Sequence, residues 1–310
     1  MPNISKADST LIDKIQLLKK KNNAIILVHN YQRAEVQDIA DFVGDSLELS
    51  QNAAGTNSGV IIFCGVHFMA ETASIICPDK KVLLPNLNAA CPMADMITAE
   101  RLREEKRKYP NAVVVCYINS SAEVKAESDI CCTSSNAVNV VNSLPQKEVL
   151  FVPDQFLGSF VASKVDKTMH LWPGYCPTHA RIAPEHIIGR KREYPDARVV
   201  VHPECKPEVI ALADAALSTS GILRYAREED FKVLIVGTEV ELLHRLRKEN
   251  PHKIFIAATD LAVCPNMKLI NLERILWTLE DLAPEVKVLE DIRSRAKVAV
   301  DKMLEIGASR

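Results

Sequence analysis

The sequence predicts an α/β protein of three homologous αβα lobes, each built on a small parallel sheet with helices on both faces. Three observations predict it. A chain of 310 residues is too long for one small core. Its apolar strands are short and uninterrupted, as in buried parallel sheets, and one series of motifs occurs three times. We expect the lobes to pack about a pseudo-threefold axis with the functional site at their centre.

The first strand of each copy is a β-branched apolar run that ends in a polar residue. These runs are Ala24–His29, Ala112–Tyr117 and Ala197–His202. At matching positions beyond them stand three Glu-Val pairs, which begin at Glu35, Glu123 and Glu208, and then three aspartates, Asp41, Asp129 and Asp214. We interpret the Glu-Val pairs as helix starts or lobe contacts and not as catalytic groups.

The second strand of each copy leads to a hydroxyl that opens a helix. The three hydroxyls in one register are Ser46, Ser134 and Thr219. Two interpretations remain open at this point. Serine and threonine are common N-caps of helices, and helix N-termini that converge on one centre also bind phosphate or carboxylate groups.

The third and fourth strands of each copy lead into a loop that contains Cys-Pro. The third strands are predicted at Val60–Phe63, Val149–Val152 and Val233–Val236, and the fourth at Val82–Leu84, Thr168–Leu171 and Ile254–Ile256. The loops hold Cys91, Cys176 and Cys264. A glutamate at a helix start follows each of them, at Glu100, Glu185 and Glu273.

These repeats predict lobe 1 over residues 1–97, lobe 2 over residues 98–182 and lobe 3 over residues 183–265. No Gly/Ser-rich linker separates them, so we expect compact packing rather than beads on a string. Apolar residues recur at helical spacing from Leu272 onward. We expect the helices of residues 266–310 to pack on lobe 1.

Charge and composition exclude several classes of partner. The 38 basic and 40 acidic residues give a net charge of −2, which argues against nucleic acid or an anionic membrane as the main partner. The long charge-free run of residues 51–70, which looks apolar, is too polar to cross a bilayer because Asn, Gly, Thr and Ser interrupt it. No signal peptide opens the chain, so we expect a cytoplasmic protein whose nine cysteines are thiols or metal ligands.

Ligands of parallel α/β sheets bind beyond the carboxyl ends of the strands. The matched residues stand there: His29, Tyr117 and His202 end the first strands, the hydroxyls follow the second strands, and the cysteines follow the last. If the three lobes point these ends at one centre, three thiols and many polar groups share one pocket.

Three matched cysteines without a fourth indicate a particular kind of metal site. Structural zinc sites and electron-transfer iron–sulfur clusters usually have four protein ligands. A set of three fits a 4Fe–4S cluster with one iron left open as a Lewis acid. The alternative interpretation is that the three cysteines are small hydrophobic residues buried in the core. Cys205 stays undecided, and core positions are expected for the other five cysteines: Cys64, Cys77, Cys116, Cys131 and Cys132.

These motifs, in this order, resemble those of the quinolinate synthase family of NAD biosynthesis, and the resemblance covers nearly the whole chain. The matching segments are residues 29–32, 44–46, 65–72, 117–119, 133–134, 153–156, 174–179, 202–205, 218–221 and 264–268. The resemblance implies a 4Fe–4S cluster on Cys91, Cys176 and Cys264, and three homologous domains around the active site. It also implies condensation of iminoaspartate with dihydroxyacetone phosphate to quinolinate, with release of phosphate and two waters.

The resemblance also implies roles for individual residues. His29, Ser46, Ser134, Ser218 and Thr219 are expected to hold the carboxylates or phosphate of the substrates. Tyr31 and Glu204 are similar to the acid/base residues of the family, and Tyr117, Asn119, His179 and His202 are expected to orient the intermediate. An L-aspartate oxidase is the implied source of iminoaspartate. No second cysteine follows Cys264 in its loop, so we do not expect the disulfide switch found in some members.

Two other functions remain open from the sequence. A hydro-lyase of the aconitase type would use the same three-cysteine logic but release no inorganic phosphate. A non-enzymatic three-lobed module that binds a metal or a small molecule would have no need for Glu204. Measurement of phosphate release with both substrates separates these alternatives.

Overall fold

The computed structural model describes residues 6–307. Three four-stranded sheets, all with parallel pairing, form its framework, and in each the strand order is second, first, third, fourth. This confirms the predicted α/β fold of three homologous αβα lobes. Within the described residues no helix is both long and apolar enough to cross a membrane.

The elements follow the threefold repeat. Those of the first sheet are α1 (Lys6–Lys21), β1 (Ala24–His29), α2 (Ala34–Asp38), β2 (Phe42–Gly44), α3 (Ser46–Gly55), β3 (Val60–Cys64), α4 (His67–Ile76) and β4 (Lys81–Leu83). Those of the second are α5 (Ala99–Lys108), β5 (Val113–Tyr117), α6 (Ala122–Ala126), β6 (Ile130–Cys132), α7 (Ala137–Ser143), β7 (Glu148–Val152), α8 (Gln155–Ala162), β8 (Thr168–Leu171) and α9 (Pro177–Ala180). Those of the third are α10 (Pro184–Glu193), β9 (Arg198–Val201), α11 (Pro207–Ile210), β10 (Ala215–Ala216), α12 (Thr219–Glu228), β11 (Val233–Gly237), α13 (Leu242–Glu249) and β12 (Ile254–Ala257). Two final helices are α14 (Leu272–Asp281) and α15 (Glu290–Ile306).

The matched aspartates join the first two strands of every sheet. The Oδ2 atom of Asp41 accepts a hydrogen bond from the backbone N–H of Ile26 at 2.8 Å. Asp129 accepts in the same way from Val114 at 2.8 Å, and Asp214 accepts from Val199 at 2.7 Å. A hydrogen bond to an ionised carboxylate is stronger than one between neutral groups. The repeated aspartate therefore fixes the register of the short second strand in each lobe.

The Glu-Val pairs belong to the short helices α2, α6 and α11. Each glutamate lies in the first turn of its helix, where the positive end of the helix dipole favours a negative charge. The valine that follows is fully buried in all three copies, at Val36, Val124 and Val209. The expectation that these pairs start helices and pack the lobes is confirmed.

A helical turn follows each Cys-Pro sequence. Cys176 directly precedes α9, and short 3₁₀ turns at Ala94–Met96 and Met267–Leu269 follow Cys91 and Cys264. Proline suits the first positions of such turns because it needs no backbone partner there. The turns direct backbone N–H groups back toward the cysteine sulfurs.

The C-terminal helices contact two of the predicted lobes. Helix α14 packs on α1, and the side chain of Asn22 donates to the backbone oxygen of Leu279 at 2.8 Å. Helix α15 packs on α4 and also on α6. Its backbone accepts from Asn136 at Met303, at 3.2 Å, and Lys302 donates to the backbone oxygen of Asp129 at 2.9 Å. Sequence analysis places residues 266–310 on lobe 1, whereas α15 extends across to lobe 2.

Candidate active site

A cavity of about 200 Å³ is lined by residues that follow strands of all three sheets. All the site residues expected from the sequence line it except Ser218. They are His29, Tyr31, Ser46, Cys91, Tyr117, Asn119, Ser134, Cys176, His179, His202, Glu204, Thr219 and Cys264. Ser218 instead lines a neighbouring cavity that Asp45 and Ser134 share with this one.

A buried carboxylate, that of Glu204, lies in this cavity with only 3% of the residue exposed. Its Oε1 atom accepts from the hydroxyl of Tyr117 at 2.5 Å and from the amide of Asn119 at 3.4 Å. Its Oε2 atom lies 2.6 Å from Nδ1 of His179. Burial works against ionisation, but attraction to His179 and His202 and the hydrogen bonds lower the pKa of Glu204 to about 2. The carboxylate is therefore ionised at neutral pH.

The two matched histidines are neutral hydrogen-bond donors. Burial lowers the pKa of both His29 and His202 to about 3, although the charge of Glu204 opposes the shift. In each ring Nδ1 accepts a backbone N–H from the residue two positions later, from Tyr31 at 3.2 Å and from Glu204 at 3.3 Å. The proton of the neutral ring is therefore on Nε2. In His202 this atom lies 3.2 Å from the hydroxyl of Ser134.

None of the three matched hydroxyls is a helix cap: Ser134 lies two residues before Asn136, the N-cap of α7. Ser46 and Thr219 are the first residues of α3 and α12, and the N-caps are Asp45 and Ser218. The side chain of Asp45 accepts from two backbone N–H groups of α3, and Ser218 accepts from that of Gly221 at 3.1 Å. The capping interpretation of the matched hydroxyls is therefore wrong, because the caps are Asp45, Asn136 and Ser218. Ser46 and Thr219 are left to line the cavity at the N-termini of their helices.

The three matched cysteines are partly exposed, and the other six are buried. Cys205, which the sequence leaves undecided, is fully buried and donates to the backbone oxygen of Gly237 at 3.4 Å. The loops of two matched cysteines are also tied together, because the side chain of Asn266 donates to the backbone oxygen of Ala90 at 2.7 Å. The cysteines thus divide into three that face the cavity and six in the core.

Backbone N–H groups point at the sulfur of each matched cysteine. They belong to Met93 and Ala94 for Cys91, to His179 for Cys176, and to Asn266 and Met267 for Cys264. Burial raises the pKa of all three thiols, for Cys91 to about 12. Nearby Cys264 raises the pKa of Cys91 further, Glu204 and Cys91 raise that of Cys176, and Glu239 raises that of Cys264. The backbone N–H groups lower the pKa of the thiols, because they donate to and stabilise a thiolate.

The chain matches the family described as Quinolinate synthetase A protein over residues 13–305. It belongs to this family. A quinolinate synthase of Dehalococcoides mccartyi is 59% identical over 293 residues, which cover 94% of this chain and 97% of the relative. A quinolinate synthase of Geobacter metallireducens is 58% identical over 297 residues, 96% of this chain and 98% of the relative. A quinolinate synthase of Methanosarcina barkeri is 54% identical over 296 residues, which cover 96% of this chain and 97% of the relative.

The described residues of this quinolinate synthase family member include one tight group of possible metal ligands. The sulfur of Cys176, a ring nitrogen of His179 and a carboxylate oxygen of Glu204 all lie within 4.8 Å of one another. Nδ1 of His179 is also 3.2 Å from the sulfur of Cys176. A metal centre at Cys176 would therefore border the buried carboxylate directly.

Three residues of the site have no counterpart among the candidates from the sequence. The hydroxyl of Thr238 lies 2.6 Å from that of Tyr31, and Glu239 accepts from the backbone N–H of Cys264 at 3.0 Å. Lys268 pairs with Glu239 at 2.9 Å and donates to the backbone oxygen of Tyr31 at 2.5 Å. The sequence candidates come from the ends of the first, second and fourth strands. The same rule, extended to the end of the third strand β11, points to Thr238 and Glu239.

Proposed function

We propose that this chain condenses iminoaspartate with dihydroxyacetone phosphate to form quinolinate, with release of phosphate and two waters. The shared name of its relatives supports the product. The observation that carries the proposal is the ionised, buried carboxylate of Glu204, which lies beside Tyr117 and His179 in a cavity that three thiols also line. Ring formation with loss of water needs a base, an acid and a group that stabilises the departing hydroxyl in one enclosed place.

A 4Fe–4S cluster is the proposed cofactor, with Cys91, Cys176 and Cys264 as its ligands. Three thiolates that repel one another in a buried cavity need a positive centre between them, and backbone N–H groups at each sulfur suit the thiolate form. Among the described residues the three sulfurs do not form a group as tight as that of Cys176, His179 and Glu204, which fits a cluster better than a single ion. When bound, the cluster supplies an open iron as a Lewis acid.

The neutral histidines and helix-start hydroxyls are proposed to hold the substrate anions. His29 and His202 offer Nε2–H donors, and Ser46 and Thr219 offer hydroxyls at helix N-termini. Ser134 offers a third hydroxyl in the cavity, two residues before the N-cap of α7. Ser218 contributes by capping α12.

Asn119 and Tyr117 are proposed to orient the intermediate. The Oδ1 atom of Asn119 is buried and has no hydrogen-bond partner among the described residues. A buried carbonyl oxygen without a partner costs free energy, so an N–H of the bound substrate is a fitting partner.

Glu204 and Tyr31 are proposed as the base and the acid. Glu204 is ionised and can take a proton from substrate carbon at an oxygen, while His179 and Tyr117 hold the carboxylate in place. Burial and the charge of Glu204 raise the pKa of Tyr31 well above its usual value, so its hydroxyl keeps a proton to donate. Both groups are at most 9% exposed, which keeps water from hydrolysing an imine.

We further propose that this site is shared by lobes 1–97, 98–182 and 183–265. The supporting observation is that α5 begins at Ala99 and α10 at Pro184, each at the start of a repeat. A loop with a cysteine ligand precedes each of these helices, so each proposed boundary falls just after a ligand.

The test uses protein purified without oxygen. Iron, sulfide and visible absorbance are measured, and then phosphate and quinolinate are measured with both substrates and with each alone. Iminoaspartate is unstable, so an L-aspartate oxidase generates it in the assay. We expect equal amounts of phosphate and quinolinate only with both substrates. Absence of quinolinate would refute the proposed reaction, and a colourless, iron-free protein that made quinolinate would refute the cluster.

A further inference from the structure

Lys125, on the short helix α6, is fully buried behind the loop that carries Asn119. Lysine is almost never fully buried unless its charge is paired. The Nζ atom of Lys125 donates to the backbone oxygen of Ser120 at 2.7 Å and to that of Phe68 at 3.4 Å. Ser120 directly follows Asn119 in the second lobe, whereas Phe68 lies on α4 of the first lobe and lines the active-site cavity. One side chain therefore joins two walls of the cavity.

Glu71, also on α4, holds the same segment from the first lobe. Its Oε2 atom accepts from the backbone N–H of Ala122, the first residue of α6, at 3.1 Å. Burial lowers the pKa of Lys125, and the nearby charge of Glu71 opposes this shift. Each of the two charges thus stabilises the other inside the protein, and together they hold the backbone on both sides of residue 121.

The first lobe contains the same arrangement with a different side chain. Gln37 is the counterpart of Lys125, because each directly follows the valine of a Glu-Val pair. The amide of Gln37 donates to the backbone oxygen of Gln32 at 2.7 Å and to that of Glu241, in the third lobe, at 3.1 Å. In the register of the repeat these two acceptors match those of Lys125. The contact between a donor on the short helix, its own loop and the next lobe is therefore a repeated feature.

The residue in front of each held carbonyl belongs to the candidate active site. These residues are Tyr31 and Asn119, which match each other and Glu204 in the register of the repeat. In the third copy Ile210 stands at the position of Lys125 and has no donor in its side chain. Glu204 is held instead through its own carboxylate. Folding of a lobe thus does not require a donor on the short helix, and its presence accompanies a site residue that needs to be held through the backbone.

We propose that Lys125 is a positioning residue that, together with Glu71, fixes Asn119 where its side chain meets the substrate. The inference rests on the proposed role of Asn119 in orienting the intermediate. The amide of Asn119 donates to Glu204 at 3.4 Å, and its Oδ1 atom is buried without a partner among the described residues. Hydrogen bonds weaken steeply with distance and angle, so a displacement of about 1 Å in this loop removes the orientation that the reaction needs.

The test removes the donor in the presence and in the absence of the residue that it positions. Lys125→Met has a side chain of similar length that cannot donate, and it is made in wild type and in Asn119→Ala. Lys106→Met is the matched control, because Lys106 also donates to a backbone oxygen of the second lobe, that of Glu127 at 2.8 Å, but does not line the cavity. All proteins are purified without oxygen. Iron content, kcat, KM, Tm and hydrogen exchange at residues 118–122 are measured.

We expect Lys125→Met to lower kcat/KM about 10–100-fold in wild type. In the Asn119→Ala protein the same change should cost less than about twofold, because two residues that act through one contact are not additive. Hydrogen exchange at residues 118–122 should be faster in Lys125→Met, because the loop has lost its anchor. Lys106→Met should change neither kcat/KM nor this exchange.

Each outcome decides the inference. An unchanged kcat/KM in Lys125→Met overturns it, and so does an equal loss with and without Asn119, because Lys125 then acts on the whole fold. If Lys125→Met does not fold, Glu71→Gln takes its place in the same comparison, since it removes the charge but keeps an oxygen for Ala122; no loss, or an equal loss in both backgrounds, again overturns the inference. A wild-type protein that makes no quinolinate refutes the proposed function. Hydrogen exchange separates the two failures, because unchanged exchange at residues 118–122 overturns the inference whatever the activity.

Discussion

Replacement of Gly174 by alanine tests whether the loop of Cys176 is held by its contact with the residues that directly follow β7. Gly174 pairs with Asp154 in an isolated bridge, and its backbone oxygen accepts from the N–H of Gln155 at 2.8 Å. A Cβ atom at this position would lie 2.4 Å from the backbone oxygen of Pro153. Cys176 follows two residues later, so any shift at Gly174 reaches the proposed ligand.

The size of the effect follows from that contact. Cβ atoms almost never lie closer than 3.0 Å to another atom. The backbones at Gly174 and Pro153 must therefore separate by at least 0.6 Å, the difference between 3.0 and 2.4 Å. Forced separation of packed groups costs about 1–3 kcal/mol of unfolding free energy. At an unfolding entropy of about 2.1 cal/mol/K per residue, each kcal/mol lowers the Tm by about 1.5 °C in a chain of 310 residues. A displacement of about 1 Å at a site can lower turnover about 10²-fold.

Gly189→Ala is the matched control. Gly189 lies inside α10, and a Cβ atom there would meet nothing within 4 Å. Alanine is favoured over glycine in a helix by about 0.5–1 kcal/mol, so the Tm should rise slightly. Thermal unfolding, iron and sulfide content and kcat are measured for both variants and for wild type. Gly174→Ala should show a lower Tm and less iron, and Gly189→Ala should show neither.

An unchanged Tm together with full iron content in Gly174→Ala would refute this reasoning, because the loop would then tolerate a shift that the structure does not allow. Equal losses in both variants would show that the contact with Pro153 is not the cause.

Much of the fold could be predicted because each copy of the repeat contains the hydrogen bonds that hold its own strands together. Asp41, Asp129 and Asp214 are far apart in the chain, yet each accepts a backbone N–H from the first strand of its own lobe. Such contacts are local to one lobe, so one copy predicts the next. The packing of α15 on two lobes could not be predicted from the repeat, because the surfaces that α15 contacts belong to different copies.

The repeat predicted the site residues that match between copies, and the family resemblance added others, such as His179, which has no matching histidine in the other two copies. His29 and His202 share both a strand end and the same backbone contact at Nδ1. Thr238 and Glu239 have no such counterparts. Tyr31, the partner of Thr238, lies on another lobe and comes near only when the lobes pack, whereas Cys264, the partner of Glu239, lies in a loop of the same lobe.

The helix-start hydroxyls show a different limit. Ser218 and Thr219 are neighbours in sequence, yet Ser218 caps α12 while Thr219 lines the cavity. Helix boundaries inferred from sequence are uncertain by one or two residues, and that is the whole distance between the two roles here.

Two further substitutions test the metal ligands and the base. Cys264→Ala should lose iron and sulfide, whereas Cys132→Ala, at a buried core position of β6, should keep both; full iron in the first variant would remove Cys264 from the ligand set. Glu204→Gln should keep its iron but lower kcat about 10²–10⁴-fold, because an amide cannot act as a base. The amide also has only one oxygen, whereas the two carboxylate oxygens contact Tyr117 and His179. Glu208→Gln, on the exposed side of α11, is its control, and a Glu204→Gln protein as fast as this control would exclude Glu204 as the base.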